Sequence, residues 1–290
     1  MSFKIELKSI EKFGRDLVRP EGVMALKDGT VWTSHGGGHC TRIVPDGSQE
    51  NVGDLGGEPN GICIDRDGTV IIANIGNGKV QRLRASGSHD VITNSMENRS
   101  MPTPNFPHVD SKGRLWVTNS TNLRRHFDAS RNPIPDGSLC RIEHTKTRIL
   151  AEGILFANGC TLDAEEKFVY VAETMGKCVL RYEILDDGTV GRPEQYGPDF
   201  GPTGHPDGIA FDAAGNLWVT LVVMNALGII TPKREFHVVL HDPAGELVRR
   251  PTNITFGGKD MRTAYVGSLR GPYIPVFQAP EPGLPLIHQR

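Results

Sequence analysis

The sequence predicts an all-β fold, a six-bladed β-propeller with four-stranded blades around a central channel, and three observations carry that expectation. A phrase made of one polar residue, a short apolar run, a turn and a second apolar run occurs six times. Its copies begin at Glu21, Asn60, Asn105, Asn158, Asp207 and Asn253, at spacings of 39, 45, 53, 49 and 46 residues. A strand-built repeat of that period is the signature of a propeller. Helical periodicity is scarce, whereas apolar runs of strand length recur. Finally, 34 glycines and 20 prolines in 290 residues supply a chain full of tight turns.

Within one copy the elements follow in order. In the second, Gly61-Ile62-Cys63-Ile64-Asp65 is a short apolar strand, and Arg66-Asp67-Gly68 provides a turn with glycine where positive φ is needed. Thr69 to Asn74 is β-branched and almost continuously apolar, as suits a strand covered on both faces. Gly76-Asn77-Gly78 turns the chain again, Lys79 to Leu83 alternates as a partly exposed third strand, and a weaker fourth lies near Asp90 to Ile92. The fifth copy repeats the order from Gly208 to Leu221. Trp32, Trp116 and Trp218 share one phase of their second strands, which predicts packing between blades. The segment from Phe3 to Leu7 is expected to complete the last blade and lock the ring, since closure removes exposed edges. The copies run nearly end to end without a linker, so residues 1–290 read as one domain.

Composition narrows the partners. With 32 basic and 34 acidic residues the net charge is −2, and no Lys/Arg run exceeds a pair, so nothing argues for nucleic acid or an anionic membrane. No stretch approaches the roughly 20 apolar residues of a membrane span. Cys40, Cys63, Cys140, Cys160 and Cys178 form no C-x-x-C pair and read as reduced, buried, small hydrophobes. The N-terminal stretch lacks the apolar core of a secretory signal, so a cytoplasmic location is expected. A small molecule remains the expected partner.

The head of each copy is the most telling feature. A propeller's first strand lies innermost, so Glu21, Asn60, Asn105, Asn158, Asp207 and Asn253 are expected to face one end of the channel. Clustered carboxylates and amides need a shared ligand or water when buried. Their donors are all oxygen, which hard cations such as calcium, manganese or magnesium prefer. The alternative is that these residues cap strand starts beside glycines, because Asn-Gly and Asp-Gly are common turn dipeptides. Glutamate is a poor turn residue, and Glu21 therefore favours the ligand reading.

The phrases PEGVMAL, FANGCTLD and HPDGIAFD resemble those of the senescence-marker protein (regucalcin), gluconolactonase and luciferin-regenerating enzyme family, over nearly the whole chain. The resemblance implies a six-bladed propeller with one divalent metal in the channel, calcium first, with zinc, manganese or magnesium as alternatives. It implies metal ligands at Glu21, Asn158 and Asp207, a substrate-holding asparagine at Asn105, and hydrolysis of a lactone. Two positions depart from the pattern. Thr103 stands where regucalcin-like members carry an arginine, and Phe106 stands where an aspartate often follows the asparagine. The pocket thereby loses a cation and an anion, which makes the lactone either sugar-acid-derived or less polar.

Asp207 is the expected proton acceptor, with Asn105 and Asn60 orienting substrate and Thr103, Phe106 and His108 lining its site. The sequence Ser34-His35-Gly36-Gly37-Gly38-His39 superficially resembles an esterase oxyanion-hole stretch, but no G-x-S-x-G elbow accompanies it. The stretch 121–137 lies in the longest repeat interval and reads as a lid or a long hairpin. Two rival functions stay open. One is different chemistry at the same metal site, such as phosphotriester cleavage or a non-hydrolytic reaction. The other is a non-catalytic binding propeller with a structural metal.

Overall fold

A computed structural model describes residues 3–143 and 146–290. Six four-stranded antiparallel sheets form the blades of a β-propeller. Blade 1 runs outward through Val23–Ala25, Val31–His35, His39–Ile43 and Gln49–Val52. Blades 2 to 5 repeat that order, with inner strands Pro59–Ile64, Pro104–Val109, Ala157–Leu162 and Pro206–Phe211. The inner two strands of each blade are covered on both faces. Every residue of Pro59–Ile64 and of the next strand, Val70–Asn74, is buried, and each large aliphatic side chain so covered contributes roughly 1.5–3 kcal/mol.

Blade 6 joins the two ends of the chain. Its inner strands, Pro251–Gly257, Thr263–Ser268 and Ile274–Gln278, receive Glu11–Phe13 as their outer edge, with Glu11 opposite Val276. The closing strand is therefore not Phe3 to Leu7. The alternation of that segment is real, but it buries its apolar side against the cluster shared by blades 5 and 6. Ile5 N donates to Val239 O on the outer strand of blade 5 at 2.8 Å, and the Phe3 ring lies 5.6 Å from Trp218.

The tryptophans fill seams between blades, Trp218 standing 5.7 Å from Phe256 of the next blade. Two of them are also pinned. Trp116 Nε1 donates to Asp110 Oδ2 at 2.9 Å, and Trp218 Nε1 to Asp212 Oδ2 at 3.0 Å, each aspartate closing the turn between the inner two strands. Inside the stretch 121–137 lies one short helix, α1, His126–Arg131. No helix among the described residues is long and apolar enough to cross a membrane.

Residues 282–290 cross the channel end where the inner strands finish. Leu284 N donates to Phe211 O, Gln289 Nε2 donates to both Ala25 O and Phe256 O at 2.7 Å, and Arg290 approaches Glu166. Ile287 packs in one cluster with Cys63 and Val109. This segment thus touches all six blades and plugs that end.

Candidate functional site

The opposite end of the channel is shaped by a repeated irregularity. Ladder pairing jumps from Pro59 to Ile62, Pro104 to Pro107, Ala157 to Cys160, Pro206 to Ile209 and Pro251 to Ile254, while the facing strand advances one residue fewer. Such a β-bulge bends the strand and re-aims a side chain. Its first residue is Asn60, Asn105, Asn158, Asp207 or Thr252, and Glu21 stands at the same distance before the paired strand of blade 1. The blade 6 member is therefore Thr252 rather than Asn253. Asn253 comes one residue late and turns to backbone, donating from Nδ2 to Val23 O and accepting from Ile254 N. A proline directly precedes the true position in five of six copies, at Pro20, Pro59, Pro104, Pro206 and Pro251. A strand's first residue tolerates proline's missing N–H, and that signal gives the correct phase.

Serine and threonine hydroxyls of the second strands hold the bulges. Gly22 N donates to Ser34 Oγ at 2.8 Å, Phe106 N to Thr118 Oγ1 at 3.1 Å and Gly208 N to Thr220 Oγ1 at 3.0 Å. Ser34 is thus a brace for Glu21. Blade contacts at this level are backbone to backbone, and a Cβ on Gly159 would lie 2.6 Å from Asp207 O.

Glu21, Asn60, Asn105, Asn158 and Asp207 are all buried. Asn60 Nδ2 donates to Asn105 Oδ1 at 3.2 Å, and Asn105 Nδ2 donates to Ser120 Oγ at 2.8 Å. Asn158 Nδ2 donates to Thr174 Oγ1 at 3.1 Å, whereas its Oδ1 is buried and accepts no hydrogen bond. Glu21 Oε2 is also buried, and its partner is the Arg19 guanidinium, which closes on it as an ion pair. Burial, and then the negative charge of Glu21, hold the Asp207 carboxyl well above the usual carboxylate range, with Arg19 and Asn158 partly offsetting them. Burial also raises Glu21, against the pull of Arg19.

Among the described residues no three His, Cys, Asp or Glu side chains gather as a metal cage. The ring instead offers two carboxylates with amide oxygens. That donor set fits a hard divalent cation. Such a cation would meet Asn158 Oδ1, left without a hydrogen bond, together with the Glu21 carboxylate, and would stabilise Asp207 in its ionised form.

The other expected site residues are distributed differently. Thr103 is fully buried, and its hydroxyl donates to Thr121 O while its N–H donates to Asn119 Oδ1 at 3.0 Å. Phe106 and His108 lie farther down the channel, around a narrow cavity that also meets Ile209, Phe211, Phe256 and Leu284. Burial lowers the His108 imidazole to about 4, so it is neutral at physiological pH. His35 and His39 stack at 4.2 Å beside the glycine run.

Two residues that sequence reasoning did not single out join the ring. Arg19, at a φ of 51°, sends its guanidinium to Asn60 Oδ1 at 2.8 Å and to Pro59 O at 3.4 Å. Its Nε lies 3.1 Å from Glu58 Oε1. No motif announces either; only their matching places before Pro20-Glu21 and Pro59-Asn60 could have done so.

The family model described as "SMP-30/Gluconolactonase/LRE-like region" matches residues 86–270, more than half of the chain, a stretch that includes Asn105, Asn158 and Asp207. A 6-deoxy-6-sulfogluconolactonase of Pseudomonas putida is 30% identical over 170 residues, 57% of this chain and 54% of that protein. The Arabidopsis thaliana protein STRICTOSIDINE SYNTHASE-LIKE 6 is 27% identical over 214 residues, 70% of this chain and 56% of that protein. The chain spans about half the length of these curated relatives. Among solved structures, the calcium-binding protein regucalcin of Agrobacterium tumefaciens superposes with a TM-score of 0.74 at 16% identity, covering 94% of this chain and 99% of that one, a likeness of fold.

Proposed function

Because the chain belongs to the SMP-30/gluconolactonase/LRE-like family, we propose that it is a lactonase whose Glu21, Asn158 and Asp207 hold one divalent cation, calcium in the first place. The observation that carries this reading is Asn158 Oδ1, buried without a hydrogen bond in a ring that also contains the buried carboxylates of Glu21 and Asp207. When bound, the cation supplies a positive pole that polarises the lactone carbonyl and acidifies water.

The chain's own residues do the rest. Asp207 accepts the proton of the attacking water as the new C–O bond forms. It returns that proton to the ring oxygen as the acyl C–O bond breaks, releasing the hydroxy acid. The Asn60–Asn105 hydrogen bond fixes the two amides, leaving one Asn105 N–H and the free lone pairs to orient substrate. Thr103 and Phe106 offer substrate neither an arginine's cation nor an aspartate's anion. This supports a lactone less polar than those of family members that carry both. Five buried cysteines without disulfides support a reducing, cytoplasmic setting.

The test begins with chelator-stripped protein, restored with calcium, manganese, magnesium or zinc, while proton release from aldonolactones and simple lactones is followed. Metal-dependent turnover that disappears in Asp207→Ala supports the proposal. Stoichiometric metal binding with no turnover on any lactone favours a second reading, other chemistry at the same ring. The likeness to STRICTOSIDINE SYNTHASE-LIKE 6 keeps that reading in play.

A further inference from the structure

Building on the metal reading above, we infer that Arg19 is a built-in rival of the cation, so that loading the ring requires its guanidinium to release Glu21 and draw back toward Glu58. The guanidinium is enclosed by ring groups. Nε faces Glu58 Oε1, Nη1 donates to Pro59 O, and Nη2 serves both Asn60 Oδ1 and Glu21 Oε2. Four of its five N–H donors are thereby engaged, leaving little to offer a substrate. An arginine keeps its charge at every working pH. A guanidinium in contact with Glu21 and a divalent ion on the same carboxylate oxygen therefore exclude each other by charge and by volume.

The backbone supports this placement. Arg19 has a φ of 51°, a region a bulky residue rarely adopts, and Pro20 restricts it further. Strain of this kind persists where surrounding contacts over-determine it. Here those contacts are the ion pairs and hydrogen bonds of the guanidinium itself. Glu58, with a third of its side chain exposed, gives the displaced group a partner at the rim. Arg19 thus sets how much free cation is needed to fill the ring.

Calcium affinity of chelator-stripped protein, measured by calorimetry in 0.5 M KCl, tests the inference independently of turnover. At that salt, charges acting from beyond a few ångströms are screened. Arg19→Gln should bind calcium at least tenfold more tightly than the wild type, and Arg124→Gln, at the exposed rim, should match the wild type. Unchanged or weaker binding by Arg19→Gln overturns the inference, as does equal tightening in Arg124→Gln, which would reduce the effect to general charge. Should Arg19→Gln fail to fold, Glu58→Gln decides: loss of the retreat partner should weaken calcium binding several-fold, and an unchanged affinity overturns the inference. A wild type that binds none of the four cations defeats the metal reading itself, a distinct result.

Discussion

Trp218 donates its indole N–H to Asp212 Oδ2 at 3.0 Å, and that bond ties the second strand of blade 5 to the turn that precedes it. The same carboxylate also accepts from Ala214 N, Asn216 N and Asn216 Nδ2. Asp212→Ala should therefore cost about 3 kcal/mol, because it orphans a buried indole N–H and loosens a turn at once. Urea unfolding measures the loss. Activity per folded molecule should stay at the wild-type level, since the pin stands at the channel end away from the ring.

The ring tolerates no added atom between blades 4 and 5. Gly159→Ala would set a Cβ 2.6 Å from Asp207 O, against backbone that has no rotamer to change. The blades must part, and Asn158 must move from Asp207. Metal affinity should fall at least tenfold, read by calorimetry, with a lower melting temperature. Wild-type affinity in this variant would mean that Asn158 and Asp207 do not share a cation.

His108 gives a pH signature. Its folded pKa is depressed from 6.5 to about 4. The unfolded chain therefore takes up more protons between those values, and the stability that neutral His108 contributes above pH 6.5 is lost as pH falls toward 4. The loss should be on the order of 2 kcal/mol. His108→Gln should flatten the slope in this window, measured by unfolding at pH 7.0, 5.5 and 4.5. A slope equal to the wild type would assign the acid sensitivity elsewhere.

Asp207 has the opposite sign. Its folded pKa is raised, so the stability it contributes is present at low pH and lost as pH rises through the folded value. In chelator at neutral pH, Asp207→Asn should be more stable than the wild type by about 1–2 kcal/mol, because a buried like charge beside Glu21 disappears. The same substitution should abolish lactone turnover. A less stable metal-free variant would contradict the electrostatic account.

The repeat was legible because turn glycines and buried second strands are local features. Glu21, Asn60, Asn105, Asn158 and Asp207 carry polar chemistry in a fixed phase, and the structure brings them to one end. Asn253 misleads because its amide resembles those of the other heads, although Pro251 marks Thr252 as the ring position. Phe3 to Leu7 alternates as a strand does, yet Glu11–Phe13 closes the ring. Which seam receives an alternating segment is decided by partners more than 200 residues away, Trp218 and Val239 among them. Arg19 stayed hidden for a related reason: its importance lies in four contacts made across blades 1 and 2, and no spacing encodes them.

The segment 282–290 turns the channel into a blind well. Whatever reaches the ring must leave past the same rim by which it arrived, so under the proposed reaction the hydroxy acid departs against the incoming lactone. Catalytic throughput at high product is then governed by traffic at one doorway. The acid should act as a competitive inhibitor, raising KM in proportion to its concentration while leaving kcat unchanged. Initial rates with added product measure this, and a noncompetitive pattern would mean that the acid binds without excluding the lactone from the ring. Gln289, bonded to Ala25 and Phe256, holds the floor of that well in place.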